Sequence, residues 1–281
     1  MISLKQINKH EVTAIPIPSS LDTRPIKGYD ICEEIYANIF LTAKKKSGKT
    51  SALFKIMKEC TDKKTIIILF VSTLFKDENW IEIRKYFENK GNEIRAYTSI
   101  YDEGEDQLEN LISELSKEAE EKETVQEDKQ EPISILDRIS KLAFGDPDEE
   151  KAKEKKNKKP KYRCCEYMII FDDLSSELKS KSLLNLLKKN RHYKSKLIIS
   201  SQWIHDLLPE SRKQLDLFLI FKGFPEKKLI EIYKDCDSSI PFETFYNIYH
   251  EATKKPFSFM YIDTRSDSFR CNFNHQFILE N

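Results

Sequence analysis

The eight residues Ala43-Lys44-Lys45-Lys46-Ser47-Gly48-Lys49-Thr50 constrain this chain more than any other stretch. They fit the pattern G-x-x-x-x-G-K-[ST] at every defined position except the first, where Ala43 stands for glycine. A loop of this kind turns successive backbone N–H groups inward around phosphate oxygens. Its lysine reaches the β- and γ-phosphates and its hydroxyl holds Mg2+. The pattern requires a strand before it and a helix after it, because a helix N-terminus supplies free amides and the positive end of the dipole. Both flanks comply: Ala37-Asn38-Ile39-Phe40-Leu41 is largely apolar, and 51–57 has helical spacing. Lys46, Ser47, Gly48, Lys49, Thr50 and Ser51 are therefore candidate phosphate contacts. The alternative is a chance glycine-lysine-threonine in a lysine-rich loop.

The apolar runs that follow predict an α/β chain. After a strand at 39–42 and a helix at 49–60, residues 65–71 (TIIILFV) form a β-branched run of the kind buried in parallel sheets. A helix is expected at 80–89, with Gly91 as its C-terminal cap, then a short strand at 93–97 and a helix at 107–116. Further buried strands are expected at 166–173, 196–202 and 215–221, with a helix at 176–190 between the first two. Strands alternating with helices of this length imply a mostly parallel central sheet flanked by helices. Residues 257–263 and 268–273, joined by Thr264-Arg265-Ser266-Asp267, read as a β-hairpin at the sheet edge. The C-terminal aromatics Phe242, Phe245, Tyr246, Tyr249, Phe257, Phe259 and Tyr261 fall at helix or strand spacing and are assigned to core packing.

At 281 residues the chain suits one domain with an insert, and it can bury a full core. An N-terminal arm is expected over 1–36 and the main domain over 37–281. Within it, 117–131 and 146–161 are nearly all charged or polar and are expected to be disordered or loosely helical. Between them, Ile133, Leu136, Ile139 and Leu142 have amphipathic helical spacing. Lys+Arg and Asp+Glu both number 47, so net charge gives no signal for nucleic acid. No apolar run is long enough for a membrane span, and the N-terminus lacks a secretory core. The six cysteines lack C-x-x-C spacing, which favours free thiols in a reducing compartment over a metal site or disulfides.

Three further groups carry chemistry. The run at 166–173 ends in Asp172-Asp173. Downstream of a phosphate loop, a carboxylate at a strand end holds Mg2+ and an adjacent acid polarises the attacking water. Asp172 is assigned with Thr50 to the metal, and Asp173 to the water. Gln202, after Ser200-Ser201, would lie between the phosphate loop and the acidic strand as a γ-phosphate sensor. Arg191 and Arg212 are candidates to stabilise charge on a transferring phosphoryl group, supplied from a neighbouring subunit. Each has a plain alternative: a capped strand end for the acids and glutamine, a solvated surface for the arginines.

Four blocks together resemble the poxvirus-type genome-packaging ATPases of large DNA viruses, a branch of the FtsK–HerA superfamily. They are the loop at 43–50, Met168-Ile169-Ile170-Phe171-Asp172-Asp173-Leu174, Asn190-Arg191-His192 with Leu197-Ile198-Ile199-Ser200-Ser201-Gln202, and Leu208-Pro209-Glu210-Ser211-Arg212 with Asp216. They span roughly 40–225, and Pro256–Asp263 also looks like the family's closing strand. The resemblance implies a phosphate-loop NTPase fold of the additional-strand, RecA-like type, with ATP and Mg2+ as cofactors. It implies a homo-oligomeric ring (pentamer or hexamer) that drives double-stranded DNA into a preformed capsid, and capsid proteins as partners. It implies a location in the host cytoplasm, in a viral factory, or in the virion. It supports Lys49 on phosphate, Thr50 and Asp172 on Mg2+, Asp173 on water, Gln202 as sensor, and Arg212 ahead of Arg191 as trans-acting finger. Two departures stand out: Ala43 in place of glycine, and the charged insert. Competing readings are a helicase-like ATPase and a degenerate nucleotide-binding scaffold. A GTPase lacks its Asn-Lys-x-Asp motif here, and a nucleotide kinase its arginine-bearing lid.

Overall fold

The computed structural model describes residues 22–127 and 161–279. Nine strands form one sheet: β1 (Asn38–Thr42), β2 (Ile66–Val71), β3 (Ile94–Tyr97), β4 (Tyr167–Asp172), β5 (Ser195–Ser201), β6 (Leu217–Phe221), β7 (Phe259–Asp263), β8 (Ser268–Cys271) and β9 (His275–Gln276). Their spatial order is β9-β8-β7-β6-β1-β5-β4-β2-β3. From β3 to β6 all neighbours are parallel, whereas β6, β7, β8 and β9 pair antiparallel. The expected parallel sheet and C-terminal hairpin are both present. The strand that carries Ser200-Ser201 lies between the phosphate-loop strand and the strand ending in Asp172.

Period-two alternation explains why these strands need cover on both sides. Phe40, Phe70, Ile169, Phe171, Ile199 and Phe218 enter one core, and Ile39, Leu41, Leu69, Ile170, Ile198 and Leu219 enter the other. Helices α1 (Lys49–Cys60) and α2 (Glu78–Lys90) cover the second face through Leu53, Ile56, Trp80, Ile83 and Phe87. Helices α3 (Gln107–Glu127), α4 (Lys181–Lys189), α5 (Glu226–Cys236) and α6 (Phe242–Ala252) cover the first. Each fully buried aliphatic or aromatic side chain among them contributes about 1.5–3 kcal/mol.

Local signals set most boundaries. Gly91 ends α2 with φ 88°, its N–H donating to the Glu88 carbonyl. The helix expected over 176–190 is instead broken. A 3-10 turn at Ser175–Lys179 gives way at Ser180, which is extended (φ −75°, ψ 148°) and accepts the Leu183 N–H. Serine competes for backbone donors as an N-cap, so α4 starts there. Helix α3 continues to Glu127, into the charged insert. The rest of the insert, including the helix expected near 133–142, lies outside the described residues, as does the arm up to residue 21. Residues 22–36 lie against the domain: Ile31 and Cys32 are buried beside α1, and Ile26 bridges to Arg163.

One aromatic departs from the expected core. Phe242 and Tyr246 pack against the core, and Phe245, Tyr249, Phe259 and Tyr261 are buried, but Phe257 is 69% exposed. All six cysteines are free thiols, four of them buried. No helix among the described residues is long and apolar enough to cross a membrane.

Candidate nucleotide site

The site stands where the parallel strands end. β1 delivers the chain at Thr42, and Ala43 is buried with a negative φ, so its methyl group costs the turn nothing. Lys46 (φ 63°) and Gly48 (φ 91°) take the left-handed conformations that turn the loop back into α1. Ser47 Oγ donates to the Lys44 carbonyl at 2.5 Å. Gly48 is the N-cap and provides no side-chain acceptor, so the amides of the first turn have no capping group in front of them. Thr50 is half-buried and Ser51 exposed.

Lys49, the first residue of α1, crosses to the neighbouring acids. Its Nζ lies 2.7 Å from Asp172 Oδ1 and donates to Asp173 Oδ1 at 2.9 Å. Burial alone would lower the Lys49 pKa, but the two carboxylates outweigh it and hold the ammonium above its usual value. Asp172 is 2% exposed, and its Oδ2 accepts the Trp80 indole N–H at 3.0 Å. Asp173 sits at φ 55°, and its carbonyl accepts the Ser72 hydroxyl at 2.9 Å, tying the ends of β4 and β2 together. Asp172 Oδ1 makes no hydrogen bond beyond its contact with the Lys49 charge.

That oxygen fits a divalent cation. It is a hard donor already facing positive charge, and Mg2+ binds through one or two carboxylates plus phosphate oxygens rather than an all-protein cage. Accordingly, no three His, Cys, Asp or Glu side chains among the described residues converge as a metal site. Asp172 and the Thr50 hydroxyl are the groups that could hold it.

The remaining expected residues divide between the two edges of the sheet. Gln202 is exposed and directly follows β5, so it stands on the loop's edge between Thr42 and Asp172. Ser201 beside it donates to the Asp206 carboxylate. Arg191 is exposed in the turn leading into β5, at the edge where strands begin. There it faces Asp216, whose carboxyl is pushed up by burial, accepts the Asn38 N–H and is partly relieved by Arg191. Arg212 ends a single helical turn (Pro209–Arg212) ahead of β6, with its side chain 12% exposed and Nη1 donating to Asp235 Oδ2 at 3.0 Å. Neither arginine bonds to Lys49, Asp172 or Asp173 of its own chain.

Three contributors were missed in the sequence. Trp80 orients Asp172, but its helical spacing announces only a core residue. Ser72 carries no pattern at all. Phe257 packs on the phosphate loop: a methyl group at Gly48 would come within 3.3 Å of its Cβ and Cδ1. Its neighbour Pro256 was the available hint.

Several solved structures are similar to this chain. The genome packaging NTPase B204 from Sulfolobus turreted icosahedral virus 2, solved in complex with AMP, is similar with a TM-score of 0.49 and 18% identity, over 88% of this chain and 100% of that one. B204, the DNA-packaging ATPase from Sulfolobus turreted icosahedral virus, gives 0.45 and 17%, over 83% and 95%. ATPases 2 and 3 of EssC from Geobacillus thermodenitrificans give 0.44 and 11%, over 70% and 34%. No protein-family model and no curated protein matches the sequence. The fold itself is a phosphate-loop α/β sheet with an additional strand between loop strand and acid strand, as β1-β5-β4 shows.

Proposed function

We propose that the chain is an ATP-hydrolysing motor of the FtsK–HerA type that translocates double-stranded DNA as a homo-oligomeric ring, packaging a viral genome into a preformed capsid. The observation that carries hydrolysis is Lys49 Nζ, at the start of α1, between Asp172 and Asp173 at the end of β4, with Gln202 at the end of the strand between β1 and β4. In this reading Lys49 transfers from the carboxylates to the β- and γ-phosphates when nucleotide enters the loop. Mg2+, held by Asp172 and Thr50, would supply Lewis-acid charge to the phosphates. Asp173, whose carboxylate is 42% exposed beside Lys49, accepts the proton of the attacking water. Gln202 reads the γ-phosphate, and an arginine of the adjacent subunit, Arg212 or Arg191, neutralises charge on the transferring group. The DNA motor reading is supported by the four sequence blocks that resemble packaging ATPases.

The test is ATP hydrolysis with and without double-stranded DNA, on protein whose oligomeric state is measured in the same samples. Stimulation by DNA in an oligomer, lost in Lys49→Ala and in Asp172→Asn, is the expected result. Turnover indifferent to DNA argues for another phosphate-loop ATPase, and binding without turnover for a scaffold. Hydrolysis unchanged in both variants refutes the site.

A further inference from the structure

Phe257 is an unusual residue in an unusual conformation. A bulky aromatic with φ 62° is a genuine outlier for an L-residue, and such strain persists only where neighbours over-determine it. Here they do. Ser258 is buried and donates its hydroxyl to the Lys255 carbonyl at 2.6 Å, while the Phe259 N–H is fixed by Asn272 Oδ1 at 3.1 Å. The turn so held puts an apolar ring into solvent at 69% exposure, against Gly48 of the phosphate loop. No ring or cation among the described residues covers it. Phe75, another exposed phenylalanine, lies beyond β2 with the Arg84 guanidinium 5.3 Å from its centroid.

Sheet order gives a bound nucleotide its direction. The acids that attract the terminal phosphate stand on the β5–β4 side of the loop, because Lys49 already reaches them there. A triphosphate seated in the loop with its γ end on that side sends its nucleoside the opposite way, toward β6 and β7. Phe257 is on that side: it precedes β7, whose first residue, Phe259, is in register with Phe221 at the end of β6. It is also on the correct edge, where β1 opens into the loop.

We propose that the Phe257 ring is the stacking platform for the base of the nucleotide bound at the 43–50 loop, gripping the base by its face. This rests on the phosphate-site reading above. Stacking is indifferent to base identity because every base presents a π-face. The site thus takes nucleoside triphosphates without reading the base, so ATP and GTP bind with similar affinity.

Calorimetric titration of the full chain in Mg2+ with ATP, GTP and inorganic tripolyphosphate tests this. Phe257→Ala weakens both nucleotides about tenfold, the factor given by roughly 1.4 kcal/mol of stacking, and leaves tripolyphosphate within about twofold. Phe257→Asn, which tolerates a left-handed backbone, repeats the loss, and Phe257→Trp restores binding. Nucleotide affinity unchanged in the Ala and Asn variants overturns the platform. An equal loss of tripolyphosphate also overturns it, since the ring would then only shape the loop. A wild-type preference for one purine beyond about tenfold overturns recognition by the face alone. Lys49→Ala separates the two readings. It weakens all three ligands if the loop takes phosphate, and if it does not, the phosphate site fails whatever Phe257 does.

Discussion

Replacing Lys49 with methionine perturbs more than phosphate binding. Among the described residues its ammonium is the only positive charge paired with Asp172, which is 2% exposed, and it also pairs with Asp173, which is 42% exposed. Removing one partner of a buried pair costs about 3–5 kcal/mol, because the other charge is left without compensation. The Asp173 contact is screened by solvent and adds less than about 1 kcal/mol. Lys49 keeps 14% exposure and Trp80 still bonds Asp172, so the lower end applies: about 3 kcal/mol of a total near 5–15 kcal/mol. Lys49 titrates above its usual value in the folded chain. The lysine side of the pair is therefore fully charged at neutral pH, and its contribution is lost as pH rises past the ordinary lysine range, near 10.4. Urea denaturation at neutral pH, without nucleotide, reads the loss as a lower midpoint at an unchanged slope. Asp172→Asn in the Lys49→Met background removes the stranded charge and recovers about 2 kcal/mol. A Lys49→Met midpoint equal to wild type, or a double variant no better than the single, would refute the argument.

Ala43→Gly is expected to leave ATP affinity within about threefold while lowering stability by roughly 1 kcal/mol, since Ala43 is buried at negative φ and glycine only frees the unfolded chain. Thermal melts and nucleotide titration check this, and tenfold tighter ATP binding would contradict it. Among the thiols, Cys164 and Cys271 are half-exposed, and burial pushes the Cys60 thiol up to about 11. Disulfide-exchange reagents near pH 8 should thus label two cysteines rapidly in the native chain and all six after denaturation. Fast labelling of Cys60 would mean that the foot of α1 opens.

What the sequence disclosed, and what it withheld, follows from range. The strand runs are legible because burial on both faces demands unbroken Ile, Leu, Val and Phe, as in Ile66–Val71 and Tyr167–Asp172. The loop is legible because its chemistry is local. Ser180 was hidden because its hydroxyl acts on a backbone amide three residues on, in a stretch whose leucines read as one helix. Trp80 and Asp172 are 92 residues apart, and periodicity cannot report a bond between them. Phe257 was hidden because alternation assigns it to the core, whereas the turn at Lys255–Ser258 rotates it outward.

The separation of Arg191 and Arg212 from the phosphate loop has a consequence for symmetry. Both lie toward the edge where strands begin, and the loop lies where they end. Five to seven residues of strand stand between, about 15–25 Å at 3.3 Å per residue. If one subunit's arginine serves the next subunit's phosphate, unlike surfaces must meet. Such a contact is heterologous: it repeats head to tail and closes into a ring when the rotation allows. Arg212 would have to leave Asp235 to take part, whereas Arg191 is exposed and could reach across without breaking an ion pair of that kind.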